Sequence, residues 1–177
     1  MSGSAAGTRL SVDDLNRMAV SDFAAAFGDV AEHSPWVAER AASARPFADR
    51  AALAQAFADA LRAAARDEQL AVLRAHPDLA GRATIAGDLT RDSRREQAGA
   101  GLDRLTPAEF ERFTALNAAY SERFGIPFIF AVKGATKDMI LAAFEERSAN
   151  EAEAEIGHAI DNVCRIMRFR IEDRVAG

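Results

Sequence analysis

Apolar positions recur at helical spacing along nearly the whole chain. In "RAALAQAFADALRAAARDEQLAVLRA", residues 50–75, Leu53, Phe57 and Leu61 stand four apart and share one face. Ile156, Ile160, Val163, Met167 and Ile171 keep the same spacing through "NEAEAEIGHAIDNVCRIMRFRIEDRV". Phe110, Phe113 and Leu116 form a stripe in "TPAEFERFTALNAAYSERF". Start signals accompany these patterns. Ser11 has an acid three residues on, at capping-box spacing. Ser34 is an expected N-cap with Pro35 at the first helical position. Thr106 is another, with Pro107 at N1 and Glu109 at N3. The alanine-rich stretch is expected to break near Arg66-Asp67, and "TKDMILAAFEERS" supplies a further helix. The pattern predicts an all-α, single-domain bundle of about seven to nine helices. Residues 1–10 read as a flexible leader and 11–177 as one helical domain.

One run breaks the pattern. "FGIPFIFAVKG", residues 124–134, is continuously apolar with a proline inside, and reads as a short buried extended segment. With no sheet to join, its backbone groups need other partners. Either side chains and water satisfy them, or they face a flat, amide-rich ligand.

Composition narrows the function classes. The 177 residues are 49% hydrophobic and 28% charged, ordinary for a globular protein. A net charge of −5 and a pI near 5.3 argue against nucleic acid as a partner. No apolar run approaches a membrane span, and "MSGSAAGTRL" lacks the build of a signal peptide. The single cysteine, Cys164, fits a reducing compartment, and "RVAG" is not a peroxisomal address, so the expected location is the cytoplasm. His33, His76 and His158 form no paired metal motif, and the glycines of residues 99–101 lack the rest of a dinucleotide fingerprint.

Three places remain with chemistry to offer. In "LRAHPDLAGR", residues 73–82, Pro77 forces His76 out of the helical conformation, so the imidazole sits at a fixed helix exit. It is either a C-terminal cap or a proton carrier held still by the break. In "SRREQAGAGL", residues 93–102, Ser93 and Glu96 have capping-box spacing, yet the same pair at a helix mouth can face a ligand. Arg165, Arg168, Arg170 and Arg174 crowd the last helix. Arg170 lies at the edge of the apolar stripe, where a partly buried guanidinium would need an anionic or carbonyl partner.

"HPDLAG" (76–81), "SRREQ" (93–97), "FGIPFIFAVKG" (124–134) and "RFRI" (168–171) follow one another in this order, with "EHSPWVAERA" (32–41) before them. In this the chain resembles the 2-oxo-4-hydroxy-4-carboxy-5-ureidoimidazoline (OHCU) decarboxylase family over nearly everything after about residue 10. The resemblance implies an all-helical, cofactor-free and usually homodimeric enzyme for the last step from urate to (S)-allantoin. It implies catalytic roles for His76, Glu96 and Arg170. It also implies substrate contacts from Pro77, from Ser93, Arg94, Arg95 and Gln97, and from the backbone of Phe128, Ile129, Phe130, Ala131 and Val132. The alternatives are a decarboxylase or hydrolase of the same fold acting on another ureido compound, and a non-catalytic helical interaction module.

Overall fold

The computed structural model describes residues 8–81 and 88–177, so most of the expected leader lies outside the described residues. Nine helices are found among the described residues: α1 (Val12–Arg17), α2 (Val20–Phe27), α3 (Trp36–Ala42), α4 (Arg50–Arg62), α5 (Arg66–Ala75), α6 (Arg91–Gly99), α7 (Pro107–Phe124), α8 (Lys137–Ser148) and α9 (Ala152–Arg174). The fold is all-α. Its one β-type pairing among those residues is an isolated bridge between Leu10 and Val175. Among the described residues, no helix is long and apolar enough to cross a membrane. The chain groups into two compact units, one of residues up to Ala60 with Met167–Gly177 and one of Leu61–Ile166.

In the first unit, Ser11 closes the expected capping box. Its hydroxyl accepts the Asp14 N–H at 3.1 Å, and the Asp14 carboxylate accepts the Ser11 N–H at 3.3 Å. Helix α3 starts one residue later than the sequence suggested, with Pro35 as its cap residue. The Ser34 hydroxyl donates instead to the Glu32 carbonyl, 2.9 Å away. Leu15, Phe23, Phe27, Leu53, Phe57 and Ile171 are buried core, and the rings of Phe23 and Phe27 stack at 5.0 Å. Each such side chain contributes roughly 1.5–3 kcal/mol over its exposed state.

In the second unit, the expected break in the alanine-rich stretch falls between Arg62 and Arg66. The Glu68 carboxylate accepts the Ala65 N–H there at 3.1 Å. Helix α7 opens on Thr106, whose hydroxyl accepts the Glu109 N–H at 3.2 Å, and stops at Gly125, whose φ of 68° favours glycine. Its buried face is Phe113, Asn117 and Tyr120; Phe110 and Leu116 are only half-buried. An asparagine thus stands in the middle of the stripe. Phe113, Tyr120, Phe128 and Phe144 form one aromatic cluster, with Phe128 and Phe144 stacked at 3.7 Å.

Candidate active site

His76 caps the C-terminus of α5 with φ −75° and ψ 139°, the extended conformation that Pro77 demands. The residue is buried, and its Nδ1 lies 2.8 Å from the Val72 carbonyl. A carbonyl accepts only, so Nδ1 carries a proton. Nε2 is then the ring nitrogen left with a lone pair to accept a proton.

The chain after His76 is held by two buried amides. Gln97 accepts the Ala80 N–H through Oε1 at 2.9 Å and donates from Nε2 to the Asp78 carbonyl at 3.3 Å. Asn117 donates from Nδ2 to the Leu79 carbonyl at 2.8 Å. Ala80 has φ 54°, a left-handed conformation that costs a non-glycine residue about 1–2 kcal/mol. These three bonds fix that conformation and hence the path of Pro77. Pro77, Asp78, Gly81, Phe110 and Asn117 line a cavity of about 590 Å³. Partial loss of solvent there raises the Asp78 carboxyl above its ordinary value, although the residue keeps much of its surface exposed.

Helix α6 begins two residues before Ser93. Thr90 is the N-cap, and its hydroxyl accepts the Ser93 N–H at 3.4 Å. Ser93 and Glu96 are therefore not the cap of this helix, which corrects the capping-box reading. Ser93, Glu96 and Gln97 stand at i, i+3 and i+4 and share a face. Ser93 and Gln97 are buried and Glu96 is half-buried. Arg94 and Arg95 are exposed. Arg94 donates to the Leu89 carbonyl at 3.4 Å, and Arg95 lies 3.6 Å from Asp92. The helix brings together Ser93, Glu96 and Gln97 and turns the two arginines elsewhere.

Residues 127–132 contain no helix, turn or bend, and Phe128, Ile129, Ala131 and Val132 are buried. The side chains of Phe128 and Phe130 stack in near-parallel planes at 6.3 Å, as residues two apart do in extended backbone. Arg147 donates from Nη1 to the Ile129 carbonyl at 2.7 Å, and Asn162 accepts the Ala131 N–H at 3.0 Å. The Val132 carbonyl accepts from Ala135 at 2.9 Å. Among the described residues, the N–H groups of Phe128, Ile129, Phe130 and Val132 and the carbonyls of Phe128, Phe130 and Ala131 have no hydrogen-bond partner. A buried backbone group without a partner is rare in folded proteins. Side chains satisfy one part of this run, and the remaining backbone groups have no partner among the described residues.

Arg147 is itself held. Its guanidinium lies over the Phe128 ring at 4.4 Å and pairs with Glu155 at 3.0 Å, where Glu155 is fully buried. Asn150 donates to the same carboxylate at 2.9 Å, as does the Tyr120 hydroxyl. Burial works to raise Glu155. The hydrogen bonds from Arg147, Tyr120 and Asn150 outweigh it and leave the carboxyl below its ordinary value. Burial, and then the bond to Glu155, push the Tyr120 phenol well above its usual range. Sequence patterning did not find this network.

Arg170 belongs to the other unit. It is 2% exposed and donates from Nη1 to Glu32 at 2.9 Å and to the Val30 carbonyl at 3.2 Å. The anionic partner that burial demanded is Glu32, equally buried and far away in sequence.

The OHCU decarboxylase family model matches residues 16–172. The 2-oxo-4-hydroxy-4-carboxy-5-ureidoimidazoline decarboxylase of Haloferax volcanii is 44% identical over 93% of this chain and 96% of its own length. The uric acid degradation bifunctional protein PucL of Bacillus subtilis is 41% identical over 92% of this chain, which spans 32% of that protein. Among solved structures, that of an (S)-allantoin synthase is similar with a TM-score of 0.76 and 31% identity. The match covers 94% of this chain and about half of the other, 54%.

Proposed function

The chain belongs to the OHCU decarboxylase family, and we propose that it releases carbon dioxide from 2-oxo-4-hydroxy-4-carboxy-5-ureidoimidazoline to give (S)-allantoin, with His76 and Glu96 as its proton-handling pair. The substrate carries its carboxylate and hydroxyl on one ring carbon, beside an imine carbon that bears the ureido group. When the bond to the carboxylate breaks, its electron pair becomes a double bond between these two carbons, and the imine nitrogen takes up a proton. Delivery of a proton to one face of the ureido-bearing carbon, with loss of the hydroxyl proton, completes the product. The imine is the electron sink, so the protein's task is orientation, charge stabilisation and one stereospecific proton.

The fixed imidazole carries this reading. Nδ1 on the Val72 carbonyl sets the ring's tautomer and orientation, and Nε2 is the group for proton traffic. Glu96 fixes its partner groups or shares the proton. Pro77 shapes the wall beside the histidine, Ser93 and Gln97 bound the site from α6, and the backbone of residues 128–132 meets the ring. Arg170 is the proposed guanidinium for a ring or ureido carbonyl. A clamp on the departing carboxylate would stabilise the ground state and slow the reaction.

We read the active form as a homodimer in the cytoplasm, which sedimentation and cell fractionation test. The activity is tested by generating the unstable substrate in situ from urate and following circular dichroism. Spontaneous decay gives racemic allantoin, so a growing signal of the (S) form marks catalysis. Only racemic product at the uncatalysed rate would contradict the assignment.

A further inference from the structure

Asn162 sits in the interior of α9, where asparagine is a poor helix former. Its Nδ2 donates to the His158 carbonyl at 2.9 Å, and this bond fixes which way the amide faces. Oδ1 is thereby aimed at the Ala131 N–H, 3.0 Å away. On the other side of Phe130, Arg147 holds the Ile129 carbonyl at 2.7 Å. Among the described residues, these are the two hydrogen bonds made to the backbone of residues 128–131. In extended chain, the N–H and C=O of one residue point to the edge opposite those of its neighbours. Fastening residues 129 and 131 along one edge turns the N–H and C=O of Phe130 to the other. Phe130 is also the one residue of 128–132 that is only half-buried.

We infer that Asn162 is a positioning residue. By holding the Ala131 N–H it aims the Phe130 backbone pair at an amide-bearing ring, a donor and an acceptor matched to the ring's own carbonyl and N–H. The inference rests on the proposed contact between this run and the substrate. It adds a side chain that no sequence motif singled out and that acts only through the backbone.

The test compares Asn162→Ala with Asn162→Asp, which keeps an oxygen on Ala131. Melting temperature, Ala131 amide hydrogen exchange, and kcat and KM on substrate made in situ are measured for both. We expect Asn162→Ala to melt close to wild type, to exchange Ala131 faster, and to lose between about tenfold and a hundredfold in kcat/KM, the scale of a small misplacement at a reacting centre. Asn162→Asp keeps the acceptor for Ala131 but loses the donor to the His158 carbonyl, so it should fall between wild type and Asn162→Ala in both Ala131 protection and kcat/KM. Asn162→Ala with kcat/KM within about twofold of wild type would overturn the inference while leaving the decarboxylase reading intact. Asp falling as far as Ala would overturn it too. A wild-type protein that does not accelerate the reaction removes the decarboxylase reading, and this inference with it.

Discussion

Gln97 holds Ala80 in a left-handed conformation: its Oε1 accepts the Ala80 N–H at 2.9 Å, at φ 54°. The same amide donates to Asp78, so one side chain on α6 sets the chain path just after His76. Gln97→Leu leaves two backbone groups without these bonds. It should cost about 1–3 kcal/mol in stability and lower turnover further than the unfolded fraction explains. Gln97→Glu keeps the acceptor for Ala80 and should fall between the two. Denaturation curves and initial rates on the same preparations check this.

Because Thr90 caps α6, Glu96 has no capping duty to lose. Glu96→Gln should leave the melting temperature nearly unchanged and reduce kcat by a factor on the order of 100 or more. Full activity in that variant would return Glu96 to a structural role.

Arg170 and Glu32 are a buried pair, each 2% exposed. Arg170→Met strands a carboxylate in the interior and should cost roughly 3–5 kcal/mol, whereas joining it to Glu32→Leu should recover most of that loss. Turnover in the refolded double variant then separates two roles. Activity that stays low identifies a substrate contact, and activity that returns with stability identifies a purely structural arginine.

Glu155 sets a pH dependence of stability. Its carboxyl is held below the ordinary 4.5 in the folded state, so its contribution is complete above that value and is lost as pH falls through the depressed one. Glu155→Gln should melt lower than wild type at neutral pH, and the gap should narrow on acidification below 4.5. Thermal scans across that range read the gap directly, and a gap that widened in acid would contradict the sign.

The helices and several of their ends were legible because the signals are local. Ser11 and Thr106 cap within one turn, and Pro77 constrains the residue directly before it. The start of α6 was misread because Thr90 and Ser93 are both capping residues, three apart, and only the folded chain says which hydroxyl meets the helix. The supports of the site were hidden for a different reason. Glu155 reads as one of several solvated acids until Arg147, on another helix, is placed against it, and Asn117 interrupts an apolar stripe as though by accident. Such pairings are set by tertiary packing, and no spacing along one helix encodes them.

The most direct test of the account is His76→Asn, followed by circular dichroism on substrate made from urate. Asparagine keeps a polar group of similar reach but cannot exchange a proton near neutral pH. The variant should fold, bind a purine-derived analogue of the ring, and yield only the slowly formed racemic allantoin of the uncatalysed reaction. A helix cap would give the opposite pattern, a loss of about 0.5–1 kcal/mol in stability with stereospecific turnover kept. Near-wild-type formation of the (S) product by His76→Asn would contradict the catalytic assignment of this histidine.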